Sequence, residues 1–93
     1  MTDRDAIRRR VIVRGRVQGV FFRDTVRRAA EARRVAGWAA NRDDGAVEAV
    51  FEGEPAAVEA MIDVCRRGPS RARVESVGVV EETPEGLSGF RIA

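Results

Sequence analysis

Apolar and polar positions alternate near the start of the chain, with Arg9, Val11 and Val13 on one side and Arg8, Arg10, Ile12 and Arg14 on the other. A period of two with β-branched residues predicts a strand over Ile7 to Arg14. The period then changes: Phe22, Val26, Ala29 and Ala30 recur at helical spacing and predict a helix from about Phe21 to Arg34. Asp24 suits the first turn of this helix, and Arg33 and Arg34 suit its end, where cations meet the negative pole of the helix dipole. Arg27 and Glu31 are spaced for an i,i+4 ion pair. Val35 to Asn41, with Trp38, reads as a second strand, and Val47, Ala49 and Phe51 alternating with Glu48, Val50 and Glu52 as a third. Between them Arg42-Asp43-Asp44-Gly45 carries an Asp-Gly hairpin signal, so the two strands are expected to pair antiparallel.

Gly53-Glu54-Pro55 opens a second helix, with Pro55 near its first position. Val58, Met61, Ile62 and Cys65 form its apolar stripe, and Gly68-Pro69 stops it. Val74 to Glu82 reads as a fourth strand, Thr83 to Ser88 as a loop, and Gly89 to Ala93 as a short terminal strand with Phe90 and Ile92. The order β-α-β-β-α-β with a short fifth strand predicts an α+β, ferredoxin-like sandwich. Right-handed crossovers would place both helices on one face of a four- to five-stranded, mostly antiparallel sheet. No repeat, linker or low-complexity segment divides the chain, so 1–93 is expected to be one domain with 1–6 as a flexible N-terminus.

The chain of 93 residues is long enough for a modest core, and 44% hydrophobic with 34% charged residues fits a globular domain. Met1 to Arg10 has no apolar leader region and no later run could span a bilayer, so a cytoplasmic protein without a membrane partner is expected. Composition excludes more than it suggests. With no histidine, Ser-His and Cys-His nucleophiles, phosphohistidine chemistry and the usual zinc sites drop out. All 17 basic residues are arginine, which removes a lysine Schiff base. Cys65 is the single cysteine and lies on the apolar stripe, so it reads as a small buried hydrophobe; the Cys-x5-Arg pattern of cysteine phosphatases is absent. A net charge of +2 favours an anionic ligand without demanding nucleic acid.

Candidate chemistry concentrates in Gly15-Arg16-Val17-Gln18-Gly19-Val20-Phe21-Phe22-Arg23, between the first strand and the first helix. Glycines four apart allow a loop to turn successive N–H groups inward, and the following helix adds its own free N–H groups and positive pole. Together they suit a phosphate-sized anion. A cation in the first turn conflicts with the dipole, so Arg23 is either a solvated surface arginine or the anchor of an anion that removes the conflict. Asn41 likewise has two readings: a turn amide capping local backbone, or an uncharged group holding a water beside a bound anion. Trp38 reads as core or pocket wall, Arg8-Arg9-Arg10 as a solvated strand end, and Asp43 and Asp44 as turn residues without the further ligands a metal needs. RNA-recognition modules share this element order but stack bases on aromatics of the central strands. Here the first strand has no aromatic residue and the third only Phe51, so no nucleic-acid partner is expected.

The stretch Gly15 to Arg23 resembles the acylphosphatase signature G-x-V-Q-G-V-x-F-R, and Gly37-Trp38, Asn41, Asp44-Gly45 and Val47-Glu48 resemble its second signature, G-W-x-x-N-x-x-D-G-x-V-E. Gly68-Pro69, Ala72 and Val74 match a weaker third stretch. The resemblance implies a ferredoxin-like enzyme, with no metal and no cofactor, that hydrolyses the carboxyl–phosphate bond of small-molecule acyl phosphates without a covalent intermediate. Arg23 would bind the phosphate, Asn41 would position the attacking water, and the loop Arg16, Val17, Gln18, Gly19 and Val20 would donate backbone N–H groups. Inorganic phosphate or sulfate would bind as product or competitor, and the enzyme would be a monomer. The alternatives are a non-catalytic or carbamoyl-phosphate-directed module of the same family, and an RNA-binding domain. One departure is the Arg33-Arg34-Val35-Ala36 link before Gly37-Trp38, where the family has a Leu-Gly-Leu type of link. The small Ala39 and Ala40 and the absence of tyrosine are others.

Overall fold

The structure, a computed structural model, describes residues 5–93. Of the expected flexible stretch 1–6, residues 1–4 lie outside the described residues. The elements run β1 (Ile7–Arg16), α1 (Phe22–Ala32), β2 (Ala36–Asn41), β3 (Val47–Gly53), α2 (Pro55–Arg67), β4 (Arg73–Glu82) and β5 (Phe90–Ile92). They build the ferredoxin-like fold that their order predicts, a sheet of order β4-β1-β3-β2-β5. β1 pairs antiparallel with β3 and β4, β2 pairs antiparallel with β3, and only the β2–β5 pair is parallel.

Strand β1 runs two residues past its expected end. A bulge between Arg14 and Gly15 shifts the ladder to β4, which then resumes by pairing Gly15 with Val74 and Arg16 with Arg73. A Cβ on Gly15, at φ +126°, would stand 2.1 Å from the Arg73 carbonyl oxygen, so only glycine fits this close approach. The bulge delivers the chain to the loop before α1.

Helix α1 starts and stops inside its expected span. Phe21 is not its first residue but its N-cap, in the left-handed region at φ 62°. At the other end Arg34 also turns left-handed, at φ 56°. The Val35 N–H then bonds the Ala30 carbonyl at 2.9 Å and the Arg34 N–H bonds that of Glu31 at 3.2 Å. This Schellman closure ends the helix at Ala32 and satisfies its last carbonyls. Arg33 lies just beyond and donates to the Ala29 carbonyl at 3.1 Å. The expected Arg27–Glu31 pair gives way to another. Helical side chains lean toward the N-terminus, and Arg27 reaches back to Asp24 at 2.6 Å, beside Arg28 at 3.1 Å.

Both helices cover one face of the sheet, α1 over β2 and β5, α2 over β1, β3 and β4. Phe22, Val26 and Ala30 of α1 meet Val58, Met61, Ile62 and Cys65 of α2 above Val11, Val13, Ala39, Val47, Ala49 and Phe51. Phe90 of β5 stacks on Phe51, ring centroids 5.8 Å apart, and so ties the last strand into the core. The thiol of Cys65 is buried in this core, which pushes its pKa up to about 12. No helix among the described residues is long and apolar enough to cross a membrane.

The opposite face of the sheet overturns one expectation. The Arg8-Arg9-Arg10 run is not a solvated strand end. Arg8 is only 3% exposed and Glu52, its neighbour in register on β3, only 4%. Arg8 reaches Glu52 at 2.5 Å and Glu82 at 2.7 Å. Arg10 reaches Glu48 at 2.5 Å and Glu82 at 2.7 Å, and its guanidinium lies over the Trp38 ring, 5.6 Å from the centroid. Trp38 is thus half-buried on the open face, away from the core. The antiparallel register puts arginines of β1 between carboxylates of β3 and β4, and a paired arginine can lay its stem over apolar strand surface.

Candidate active site

The loop between β1 and α1, the start of α1, the end of β2 and the end of β5 meet at one cleft of about 280 Å³. Val17, Gly19, Phe21, Phe22, Arg23, Asp24, Asn41 and Ile92 line it. Arg23 and Asn41 therefore line one space although the rest of α1 and nearly all of β2 separate them in the chain. Gly19 turns through φ +75° with nothing within 4 Å of a would-be Cβ, so backbone curvature and not crowding selects glycine there. The N-cap Phe21 offers no side-chain cap to α1. The first N–H groups of an 11-residue helix are thus left to the cleft, and the dipole adds positive potential.

Arg23 is half-buried, and among the described residues it has no hydrogen-bond or ion-pair partner. Asp24, the one carboxylate on the cleft wall among the described residues, is held by Arg27 and Arg28. The local charge balance is therefore left to Arg23 and the helix N-terminus, which favour an anion.

Asn41 closes β2, opposite Val47. The turn after it is satisfied without its amide. Asp44 accepts the Ala46 N–H at 3.1 Å, the Arg42 N–H donates to the Ala46 carbonyl at 2.8 Å, and the Gly45 N–H donates to that of Arg42 at 3.2 Å. The Ala46 N–H and the guanidinium of Arg42 hold the Asp44 carboxyl down at about 2. The local capping role open to Asn41 thus belongs to Asp44. Among the described residues the Asn41 amide has no hydrogen-bond partner.

The remaining loop residues divide. Arg16 is the exposed last residue of β1, paired with Arg73 in the ladder, and is not on the cleft wall. Val17 is buried and does line the cleft. Val20 packs against the core. Gln18 is not among the lining residues: its Nε2 donates to the carbonyls of Arg42 at 2.8 Å and Ala46 at 2.9 Å. The side chain so fastens the loop that leads to Arg23 to the turn that follows Asn41.

Sequence reasoning did not place Phe21, Asp24 or Ile92 at the cleft. Asp24 carried a helix-dipole signal only. Ile92 arrives through the parallel β2–β5 pairing of Trp38 with Arg91 and Ala39 with Ile92, a long-range contact that no local pattern encodes. Cys65 is in the core and does not line the cleft, so no thiol faces a ligand there.

The family model described as Acylphosphatase matches residues 9–92. A relative from Gloeobacter violaceus named Acylphosphatase is 55% identical over 94% of this chain and 94% of its own length. The crystal structure of acylphosphatase from Bacillus subtilis superposes with a TM-score of 0.90 at 40% identity, covering 94% of this chain and 98% of that one. Full-length HypF in its phosphate- and nucleotide-bound form matches at a TM-score of 0.88 and 27% identity, over 95% of this chain but 12% of that one.

Proposed function

The chain belongs to the acylphosphatase family, and from that premise we propose that its cleft hydrolyses acyl phosphates with Arg23 as the phosphate anchor and Asn41 as the residue that positions water. It is an enzyme of the acyl phosphate phosphohydrolase class. The observation that carries the assignment of residues is that Arg23 and Asn41 line one cleft and that neither side chain spends its polar atoms on the described protein.

In this reading the substrate phosphate enters the loop from Arg16 to Val20 and meets backbone N–H groups of the loop and of the start of α1. Arg23 grips its oxygens with a fork of donors. Asn41 holds a water in line with the bond to the acyl oxygen. The water oxygen bonds to phosphorus, the phosphorus–acyl oxygen bond breaks, and the carboxylate leaves as an anion. The proton of the water passes to a phosphate oxygen of the substrate. A carboxylate is a weak base, so its departure needs no acid, and catalysis reduces to positioning and charge stabilisation. The reading needs neither a metal nor a covalent intermediate. The working unit is a single-domain cytoplasmic monomer, for which phosphate or sulfate competes. Burial of Phe51 against Phe90 leaves β1 and β3 without a base-stacking aromatic, which supports a reading without RNA.

The match to 12% of the full-length HypF chain favours a second reading, a module of the kind found within a larger protein, for which the family resemblance implies carbamoyl phosphate as substrate. Relatives matched over nearly their whole length and named Acylphosphatase favour the first. Hydrolysis of benzoyl phosphate, followed by ultraviolet absorbance with a chelator present, tests both, with carbamoyl phosphate as the second substrate. Turnover of benzoyl phosphate is expected, and Arg23→Gln should abolish most of it and weaken inhibition by inorganic phosphate. Asn41→Ala should lower turnover while phosphate inhibition persists. Full activity in both folded variants would refute the assignment of the site, and turnover of carbamoyl phosphate alone would favour the second reading.

A further inference from the structure

We propose that Phe21 and Ile92 form an apolar lip that holds the acyl portion of the substrate, so that the enzyme favours acyl phosphates with an aromatic or bulky apolar acyl group. The inference rests on the acyl phosphate reading of the cleft. Phe21 is 75% exposed, the most exposed large hydrophobic residue among those described, while its neighbour Phe22 is buried in the core. Its backbone is also in the left-handed region, at φ 62° and ψ 26°. Glycine or asparagine adopts that conformation more readily, and asparagine would in addition cap the helix. A phenylalanine here is unfavourable on both counts and gains little burial in the free protein. Folding therefore does not account for the ring.

Its position does. Phe21 lines the cleft together with Ile92, a second exposed apolar side chain, at 36%. Val17 and Phe22 extend the apolar lining inward. The cleft lining thus combines polar groups, Arg23, Asn41 and an Asp24 already held by Arg27 and Arg28, with the exposed apolar side chains of Phe21 and Ile92. An acyl phosphate has the same division, a dianionic phosphate joined through one oxygen to a carbon group. At about 280 Å³ the cleft is near the lower end of small-ligand pockets, roughly 300 Å³ and above. Burial of an apolar group against the Phe21 ring removes from water surface that both partners expose beforehand.

The test compares benzoyl phosphate with acetyl phosphate, two substrates that share the phosphate and differ in the acyl group. In the full chain, Phe21→Ala should lower the ratio of kcat/KM for benzoyl phosphate to that for acetyl phosphate by roughly tenfold. The change should lie mainly in KM for benzoyl phosphate. Phe21→Leu, which keeps an apolar side chain, should restore most of the ratio, and Ile92→Ala should lower it in the same direction. A merely structural role would move both substrates together and leave the ratio unchanged. An unchanged ratio in both alanine variants, or a Leu variant as low as the Ala variant, overturns the lip. If the unmodified protein hydrolyses neither substrate, the acyl phosphate reading itself fails, and the lip fails with it.

Discussion

On the open face of the sheet Arg8 and Arg10 meet carboxylates at 2.5–2.7 Å, whereas Arg23, at the start of α1, meets none among the described residues. The residue type is the same, and the surroundings separate the roles. Glu52 shows how complete the first environment is. It accepts bonds from the Arg8 guanidinium and from the backbone N–H groups of Glu85, Gly86 and Leu87, at 2.5–3.1 Å. That one carboxylate pins the loop before β5 to the sheet. A guanidinium whose donors are consumed in this way is part of the framework. One left open beside a helix N-terminus is available to a ligand.

The comparison breaks most severely if a framework arginine is removed. Arg8→Met would leave Glu52 buried without its charged partner, a loss of about 3–5 kcal/mol for breaking a buried pair. Urea unfolding should show that loss, while phosphate inhibition of the remaining folded protein should be unchanged. A loss within the ~0.5 kcal/mol usual for surface positions would mean that the Arg8 pair contributes no more than an exposed one.

Arg23→Gln should have the reverse profile. Stability should change by no more than ~0.5 kcal/mol, because no protein contact is lost. Turnover of benzoyl phosphate should fall by about 100- to 1000-fold, the usual consequence of removing one preorganised donor. Parallel denaturation and kinetics on the two variants measure whether the roles separate as described.

Acid sharpens the same contrast. Burial alone would raise the Glu52 pKa, but the three backbone N–H groups and Arg8 outweigh it and hold it below the ordinary glutamate value. Hydrogen bonds from Arg10 and Arg8 lower that of Glu82. A lowered folded-state pKa stabilises above the unfolded value, and the benefit is lost as pH falls through the folded value. Stability should therefore decline as pH drops below the ordinary glutamate range near ~4.3, and Glu52→Gln should flatten that decline. Thermal melts between pH 7 and pH 2 would show it. An equal slope in the variant would mean that other carboxylates govern the acid limb.

The smallest effect concerns the departure before Gly37-Trp38. Arg34 is left-handed at the Schellman turn, where glycine carries no Cβ penalty. Arg34→Gly should stabilise by up to ~1 kcal/mol and raise Tm by about 4–8 °C, with kcat unchanged. Arg34 does not line the cleft, so a change in kcat would reveal coupling between that turn and the site.

Much of this molecule was readable in one dimension. The alternation around Val11, the stripe Val58-Met61-Ile62-Cys65 and the Asp44-Gly45 turn encode their elements locally, because burial on one face imposes the period of the element. The two signatures around Arg23 and Asn41 were legible for the same reason, each being a contiguous run at a turn between elements. Elements alone could not show which arginines are spent. Arg8, Arg10 and Arg23 look alike as letters. Their roles are set by the antiparallel register that aligns Arg8 with Glu52 and Glu82, and by the pairing of Asp24 with Arg27 and Arg28, which leaves Arg23 without an ion-pair partner among the described residues.

The sequence by itself determined the order of elements, the glycine loop and the pair of polar candidates. Periodicity, turn chemistry and helix signals act over a few residues. Only the tertiary structure decided that Arg8 is buried, that Gln18 fastens the loop to the β2–β3 turn, and that β5 brings Ile92 to the cleft that Phe21 also lines. Those outcomes depend on strand order and register, which join residues far apart in the chain and emerge only when the sheet closes around its core.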